Sequence, residues 1–247
     1  MKGVLGWVVR WRVAILAVTL VVSAGFEIWR QSSVVDLPWF VDLVVRLVLP
    51  FGLILWMISI NRSHHPAVLL TRPTVPALEV PPNPGMIIGA AGYTVLGVRT
   101  IGMAIRDLNA GMDLVFSVIY LAFFLLALVM FWASALGRAG IRLYPEGIVN
   151  RQLLGSVFIP WDSLGGPVPA FAYRPDRVTL KLDGPVRKQG FALGDPTVLS
   201  ALGVSAELLA RAIHEYANRP DLRPHIGTEE ETERFHAIPQ IAELTTR

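Results

Sequence analysis

The residues whose chemistry stands out are four ionisable side chains inside long apolar runs: Asp42, Arg46, Arg99 and Asp113. Charges within a membrane-spanning helix are costly and often mark a functional site. Asp42 and Arg46 are four residues apart, so on a helix they share one face and are close enough to pair. This intramembrane polar cluster fits two interpretations. It is either a site for a small ion or lipid headgroup, or a charge-balanced group that fixes helix packing.

Further ionisable residues (Glu27, Arg106 and Asp107) lie at the edges of the same runs. Elsewhere the sequence contains no familiar catalytic arrangement. The five histidines lack metal-ligand spacing such as H-E-x-x-H, and there is no Walker-type loop or G-x-S-x-G elbow. The absence of cysteine excludes thiol and zinc–thiolate chemistry. We therefore expect a protein that is not an enzyme, needs no cofactor or metal ion and binds no nucleic acid.

The composition separates two regions. The chain of 247 residues is 53% hydrophobic and 17% charged, against roughly 25% charged in a typical soluble protein. Residues 1–136 contain nine Lys/Arg and six Asp/Glu, whereas residues 137–247 contain thirteen of each sign. The net charge of +3 therefore comes from the first region.

The first region, 1–136, predicts four transmembrane helices at about 13–28, 40–60, 86–105 and 112–136. Each run is close to the length that a helix needs to cross a bilayer, and tryptophans flank the runs as interfacial anchors. The first run also fits a signal peptide, with Val22-Ser23-Ala24 as a cleavage site. Cleavage stays open, although a retained first helix pairs naturally with the second.

The distribution of Lys and Arg between the loops predicts the orientation. The N-terminus, the second loop and the exit from the fourth run contain seven, and the other two loops contain two. The positive-inside rule then places both termini in the cytoplasm of a multi-pass protein of the cell membrane. The second loop, 61–85, contains six prolines and is predicted to be a stiff spacer.

The second region changes to alternating apolar residues, the pattern of short antiparallel strands. Asp183-Gly184 predicts a hairpin between strands at 177–182 and 186–193. Asp195-Pro196 predicts a helix start, and Ser205 a second one. The stripe Leu209/Ile213/Tyr216 then needs an apolar partner. Short strands followed by one amphipathic helix predict a small, partly open β-barrel that the helix closes at one end.

Three motifs resemble the bacterial pleckstrin-homology-like (PH-like) domains that are fused to transmembrane hairpins, especially in actinobacterial membrane proteins. They are LYPEGI at 143–148, IPWDSL at 159–164 and the closing stretch YANRPDLRPHIG at 216–227. The resemblance covers roughly residues 138–227 and implies a fold more strongly than an activity. It predicts a PH-like domain at 138–220 and an acidic C-terminal tail at 221–247.

Three residues of this domain have predicted structural roles. Gly147 completes a tight turn, Trp161 fills the barrel core and Asp162 caps the turn that follows. Eukaryotic PH domains that bind phosphoinositides place cations around the first hairpin, where this chain has Glu146. The candidate contact with anionic lipid or a partner is instead a set of cations on the predicted 177–193 hairpin: Arg177, Lys181, Arg187 and Lys188.

These observations lead to one principal hypothesis and two alternatives. The principal one is a non-enzymatic membrane protein whose cytosolic PH-like domain mediates protein or lipid interaction. Its partners would be membrane lipids and a protein partner or a second copy of the chain. The first alternative is a small transporter or channel subunit that uses the intramembrane polar cluster. The second is an accessory subunit of a cell-envelope or secretion complex. The sequence does not identify the ligand, any transported solute or the oligomeric state.

Overall fold

The computed structural model describes residues 2–32, 38–71, 75–109, 114–231 and 233–235. The chain forms two compact units. The helical unit comprises Met1–Ile60 and Asn83–Leu136, and the sheet unit comprises Asn61–Pro82 and Gly137–Arg247. An N-terminal helical part and a C-terminal antiparallel sheet region were both predicted, and both are present.

The helical unit contains six α-helices and one π-helical turn among its described residues. In chain order they are α1 (Lys2–Arg10), α2 (Arg12–Ser32), α3 (Trp39–Leu43), the π-helical turn (Val44–Val48), α4 (Leu49–Ser63), α5 (Pro84–Asn109) and α6 (Leu114–Ala135). Asn83 caps α5, because its side-chain oxygen accepts a hydrogen bond of 2.7 Å from the Gly85 amide. Pro84 occupies the first helical position, where a missing N–H costs nothing.

Three stretches of helix are long and apolar enough to cross a membrane: Arg12–Ser32, Pro84–Asp107 and Val118–Ala135. They correspond to the first, third and fourth predicted spans. The second predicted span is helical but divided into α3, the π-helical turn and α4. Pro50 explains the interruption, because a proline lacks an N–H and its ring meets the carbonyl four residues earlier. A wider π-helical turn just before Pro50 accommodates both effects.

Helix α5 is central to the helical unit and contacts both α2 and α6. The Trp132 indole N–H donates a hydrogen bond of 2.9 Å to the Thr94 hydroxyl, and Tyr93 stacks on Phe131 with ring centroids 4.1 Å apart. Gly92 allows close approach to α4, since a Cβ there would lie 3.1 Å from the Pro50 carbonyl oxygen. Small residues and interhelical hydrogen bonds are the usual means by which membrane helices pack.

The sheet unit contains nine strands among its described residues. They are β1 (Leu70–Thr71), β2 (Leu78–Glu79), β3 (Gly140–Tyr144), β4 (Gly147–Arg151), β5 (Gly155–Pro160), β6 (Ala170–Arg174), β7 (Arg177–Leu180), β8 (Arg187–Gly190) and β9 (Val198–Ser200). One antiparallel sheet has the order β1-β2-β3-β4-β5-β8, and the other has the order β6-β7-β9. Closure of these sheets into a PH-like barrel stays a prediction.

The proline-rich loop belongs to the sheet unit and is not a spacer. Strand β2 pairs with β3, so that Leu78 lies opposite Leu143 and Glu79 opposite Arg142. The Arg142 guanidinium and the Glu79 carboxylate form an ion pair of 2.9 Å. Leu69, Ala77 and Leu78 are completely buried. The prolines in this loop lie outside β1 and β2, which is why they do not prevent pairing.

The first hairpin of the second region forms as predicted, with Tyr144 paired to Gly147. Glycine is required at position 147 because a Cβ would lie 2.4 Å from the Ile159 carbonyl oxygen. Val157, Ile159 and Trp161 are all buried, which confirms the predicted strand register. Trp161 itself begins a short 3-10 helix (Trp161–Ser163) directly after β5.

Two local predictions are wrong. Strand β7 pairs with β6 and β9, whereas β8 pairs with β5, so Asp183-Gly184 does not join a hairpin. Asp195 does not start a helix. Its carboxylate accepts a hydrogen bond of 2.9 Å from the Thr197 amide, and strand β9 follows. A local turn forms at Asp195, whereas the amides of Asp183 and Gly184 both donate to the Ser163 carbonyl. In each place long-range pairing decides where the chain continues.

The core of the sheet unit combines both sheets with one helix, α7 (Ala206–Asn218). Ser205 caps α7 as predicted, with its hydroxyl 3.5 Å from the Leu208 amide. The stripe Leu209/Ile213/Tyr216 is completely buried. A 3-10 helix (Pro220–His225) and a helical segment at 229–231 and 233–235 follow. Phe235 in that segment is buried, so the predicted acidic tail begins as part of the core.

Candidate functional site

The predicted intramembrane polar cluster is described only in part. Asp42 lies on α3 and Arg99 on α5; both side chains are half-buried and take part in polar or electrostatic interactions. Residue Asp113 and the side chain of Arg46 lie outside the described part of the structure. The predicted pairing within this set is therefore untested for two of its four members.

Glu27, at the end of the first apolar run, has a more central role than its position in the sequence suggested. It is 8% exposed. Arg30 binds both its carboxylate oxygens, at 2.7 and 3.2 Å, and Gln31 donates a third hydrogen bond of 3.1 Å. Arg106 of α5 lies 3.7 Å away. The carboxylate thus links α2 to α5, the structural role expected of a buried charge that is paired.

A cleft of about 450 Å³ is lined by α2, α5, the π-helical turn and α4. Its lining is almost entirely apolar, and Glu27, Arg30 and Arg99 provide its charged groups. The other lining residues are Val18, Thr19, Val22, Ser23, Phe26, Val45, Leu49, Leu53 and Val95. An apolar cleft with a few charged groups is suited to an amphiphile, such as a lipid, more than to a hydrated ion.

The four predicted contact cations of the sheet unit do not lie on one hairpin. Arg177 is on β7 in the smaller sheet, and its guanidinium lies 3.8 Å from the Asp176 carboxylate. Lys181 follows β7, and its backbone N–H donates a hydrogen bond to the Pro169 carbonyl. Arg187 and Lys188 are on β8 at the edge of the larger sheet, opposite Phe158 and Val157. The sheet topology therefore divides the proposed basic surface into two.

A group of exposed apolar side chains beside β8 was not predicted from the sequence. We name it the tip cluster: Leu154, Phe191 and Leu193. They are 69%, 78% and 73% exposed, respectively. Ala192, between the last two, packs against the core. In the sequence, large and small residues alternate in Phe191-Ala192-Leu193, between Gly190 and Gly194. This pattern was assigned to the predicted strand at 186–193, although it also fits a short exposed turn.

A second exposed apolar group lies on and beside the edge strand β6. Its members are Val168, Phe171 and Tyr173, and the guanidinium of Arg174 lies 5.5 Å from the centroid of the Tyr173 ring. Single exposed apolar residues are ordinary, but grouped ones are typical of interaction surfaces. The sheet unit therefore carries two such groups, one in each sheet.

The predicted structural residues form a compact arrangement around Trp161. Its indole N–H donates a hydrogen bond of 2.9 Å to the Tyr144 carbonyl, and its ring lies 5.8 Å from that of Tyr216. Arg223 lies over the indole ring at 5.9 Å and forms an ion pair of 3.3 Å with Asp162. The exposed Asp162 carboxylate thus contacts the chain after α7 through Arg223, and its predicted role as a cap of the following turn stays a prediction.

A buried polar network joins α7 to the C-terminal segment. The Tyr216 hydroxyl donates a hydrogen bond of 2.7 Å to the Glu231 carboxylate, which also binds Arg234 at 2.6 Å. Burial raises the pKa of Tyr216 well above its usual range, and the hydrogen bond to Glu231 raises this pKa further. The network has a structural role, since its charged groups are paired with one another and connect α7 to the C-terminal segment.

Among the described residues, no group of three His, Cys, Asp or Glu side chains could hold a metal ion. Comparison with protein-family models, with curated proteins and with solved structures finds no match to the chain.

Proposed function

We propose that the protein is a multi-pass protein of the cytoplasmic membrane whose C-terminal PH-like unit is a non-catalytic interaction module on the inner face. In this proposal four helices span the membrane, with α3, the π-helical turn and α4 forming the second span. Both termini lie in the cytoplasm. The sheet unit, including β1 and β2 from the loop between α4 and α5, faces the cytoplasm as well.

The observation that carries the proposal is the exposure of grouped apolar side chains on the sheet unit. A soluble unit with a complete core has no need of large exposed side chains such as Phe171, Tyr173 and Phe191. Their exposure is expected where a partner covers them. Two antiparallel sheets that share a core with a C-terminal helix are compatible with the PH-like resemblance.

Topology is tested with tags at both termini. In intact cells, protease added from outside should leave both tags uncut, and permeabilisation should expose them. Digestion of either tag in intact cells would contradict the orientation.

Interaction is tested with a photoreactive amino acid at Phe171 or Phe191 of the full chain in native membranes. We expect adducts with protein or lipid at one or both positions. Glu207, exposed on the polar face of α7, is the matched control and should give none. Failure to obtain adducts at either apolar position would contradict the proposal.

A second candidate function rests on the cleft in the helical unit. Its volume and its charged residues, Glu27, Arg30 and Arg99, favour a small amphiphilic solute that the protein binds or moves. Alanine at Arg99, which lines the cleft, would abolish solute flux in this case if the protein folds normally. Unchanged flux would favour the interaction module alone.

A further inference from the structure

The backbone of the tip cluster is fixed by hydrogen bonds, although its side chains are exposed. The Phe191 amide donates a hydrogen bond of 3.0 Å to the Leu154 carbonyl, and the Leu193 amide donates one of 2.7 Å to the Gln152 side chain. A Cβ at Gly155 would lie 2.7 Å from the Ala192 nitrogen, so the two chain segments lie in close contact. The fold thus holds the backbone beneath three large exposed side chains, so binding need not order this part of the main chain.

Cations accompany the tip cluster. Arg151 ends β4, directly before the turn that contains Leu154, and Arg187 and Lys188 precede Phe191 on β8. All three are exposed. Within the described residues no carboxylate lies within ion-pair distance of Arg187 or Lys188. Asp195 attracts Lys188, but the three cations outnumber this carboxylate, so the surface has an excess of positive charge.

The edge strand β8 is poorly suited to pairing with a strand from another protein. Its four residues include two adjacent cations, Arg187 and Lys188, which discourage edge-to-edge pairing. Gly190 then adopts a left-handed conformation with φ +69° and ends the strand. An extended peptide would therefore find a short edge with like-charged side chains. Apolar side chains that project beyond this edge need a different kind of partner.

We propose that the tip cluster docks on the surface of a bilayer that contains anionic lipid. Phe191, Leu193 and Leu154 would enter the boundary between headgroups and acyl chains. Arg151, Arg187 and Lys188 would contact the lipid phosphates. This combination of an apolar group with adjacent cations is the one that interfacial membrane binding requires. The inference rests on the proposed function, because it names the partner of the interaction module.

The chain has no cysteine, so a single introduced cysteine provides a unique site for a label. The full chain with Phe191→Cys carries an environment-sensitive fluorophore and is placed in nanodiscs. One set of nanodiscs contains phosphatidylcholine alone, and the other also contains phosphatidylglycerol. Nitroxide groups on the acyl chains quench a fluorophore that enters the bilayer. A label at Glu207→Cys, on the polar face of α7, is the matched control.

We expect blue-shifted, quenched emission from the label at position 191 in nanodiscs with phosphatidylglycerol, and unquenched emission from the label at position 207. Omitting phosphatidylglycerol should weaken quenching at position 191. Combining the label with Arg187→Ala and Lys188→Ala should lower the ratio of docked to undocked protein about thirtyfold, since each well-placed cation contributes a factor of about five. These cations are exposed, so their removal leaves the fold intact.

Absence of quenching at position 191 in both kinds of nanodisc would overturn the inference. Equal quenching with and without phosphatidylglycerol, or at positions 191 and 207, would also overturn it. If Phe191 or Phe171 then still forms photo-adducts with a protein in native membranes, the interaction module stands and only its lipid partner is wrong. If neither position forms adducts of any kind, both proposals fail.

Discussion

Helices α6 and α7 differ in the exposure of their apolar side chains. Large apolar residues on α6, such as Phe123, Leu126 and Val129, are exposed, and no charged residue interrupts Leu114–Ala135. On α7, Leu209 and Ile213 are completely buried, while the opposite face carries charge. A helix that is apolar all round is stable only where its solvent is apolar, whereas an amphipathic stripe fits a helix between a core and water. The two helices thus indicate different solvents for the two units.

The two units also bury a carboxylate in different ways. Glu27 is held mainly by side chains one turn later on its own helix, Arg30 and Gln31. Glu231 instead accepts a hydrogen bond from Tyr216, fifteen residues away, in addition to its ion pair with Arg234. Each carboxylate thus binds an arginine one turn later through both oxygens, and the difference lies in the contact with another segment. That contact is an ion pair of 3.7 Å with Arg106 for Glu27, but a hydrogen bond of 2.7 Å from the buried Tyr216 hydroxyl for Glu231. Loss of the contact between segments should therefore cost more in the sheet unit.

The largest effect should come from removing residues 61–82 from the sheet unit. A chain consisting of 137–247 alone lacks β2 and the buried side chains of Leu69 and Leu78. Each buried leucine contributes about 2–5 kcal/mol, which together approach the roughly 5–15 kcal/mol that stabilise a whole domain. We expect this chain to lack protection in amide hydrogen exchange.

The control for that experiment is a chain in which a flexible linker joins 61–82 to 137–247. It should be folded and protected. A protected 137–247 chain would mean that residues 137–247 fold independently of β1 and β2.

Trp161→Ala should have the next largest effect. The indole is buried, hydrogen-bonded to Tyr144 and packed on Tyr216, so its loss should lower the free energy of unfolding by about 3–5 kcal/mol. Pulse proteolysis of the full chain in urea measures this value for the sheet unit. Phe191→Ala, which removes an exposed aromatic ring, should change it by less than about 0.5 kcal/mol. A stable Trp161→Ala protein would show that the core tolerates the cavity.

Tyr216→Phe should cost about 1.5–3 kcal/mol, because it removes a buried hydrogen bond to a charged group. The pKa of Tyr216 is raised in the folded state. Folded and unfolded chains therefore both keep the proton below the ordinary tyrosine pKa of 10.0, and the stabilisation is complete there. Above that pH the unfolded chain releases the proton and the folded chain does not, so stability falls as pH rises.

A pH series of urea unfolding that brackets the ordinary tyrosine pKa measures this dependence. The Tyr216→Phe protein should lose less stability than the parent across the series. Identical slopes would mean that Tyr216 ionises as easily in the folded chain as in the unfolded one.

Glu27→Gln should have the smallest effect of these changes. It keeps the shape of the side chain but removes the charge that binds Arg30 and Arg106. Polar contacts between membrane helices contribute about 0.6–1.7 kcal/mol, so we expect a small decrease in thermal stability in detergent. Arg106→Ala, which removes the longer of the two ion pairs, should cost less. A decrease as large as that of Trp161→Ala would contradict the contrast between the units.

Local patterns in the sequence predicted local structure well. Alternation placed Val157 and Ile159 in the core, and the Ser205 cap and the Leu209/Ile213/Tyr216 stripe located α7. Pairing between distant segments was not predictable in this way. The alternation at Leu78 is too short to indicate a strand, and its partner Leu143 lies beyond two long apolar runs. Likewise, Asp183-Gly184 has the composition of a hairpin turn, but the choice of β5 as the partner of β8 depends on the whole sheet.

The candidate sites were predictable to a similar degree. The cost of charge in apolar runs named Glu27 as a residue at the edge of a run, because that rule depends only on composition. Its pairing with Arg30 depends on the fold of the helix and was not predicted. The tip cluster was missed, since exposure is a property of the folded surface. Phe191 and Leu193 have the same residue types as a core strand, and only the packing of Ala192 and the bend at Gly190 turn them outward.

The ion pair between Glu79 and Arg142 spans 63 positions along the chain. A ribosome adds roughly 5–20 residues per second, so β2 would be made roughly 3–13 s before its partner strand. During that interval α5 and α6 are synthesised, and the proline-rich segment has no β3 to pair with. The larger sheet therefore reaches its full order only after the last apolar helix has left the ribosome. The sheet unit can therefore finish assembling only after synthesis of the helical unit is complete.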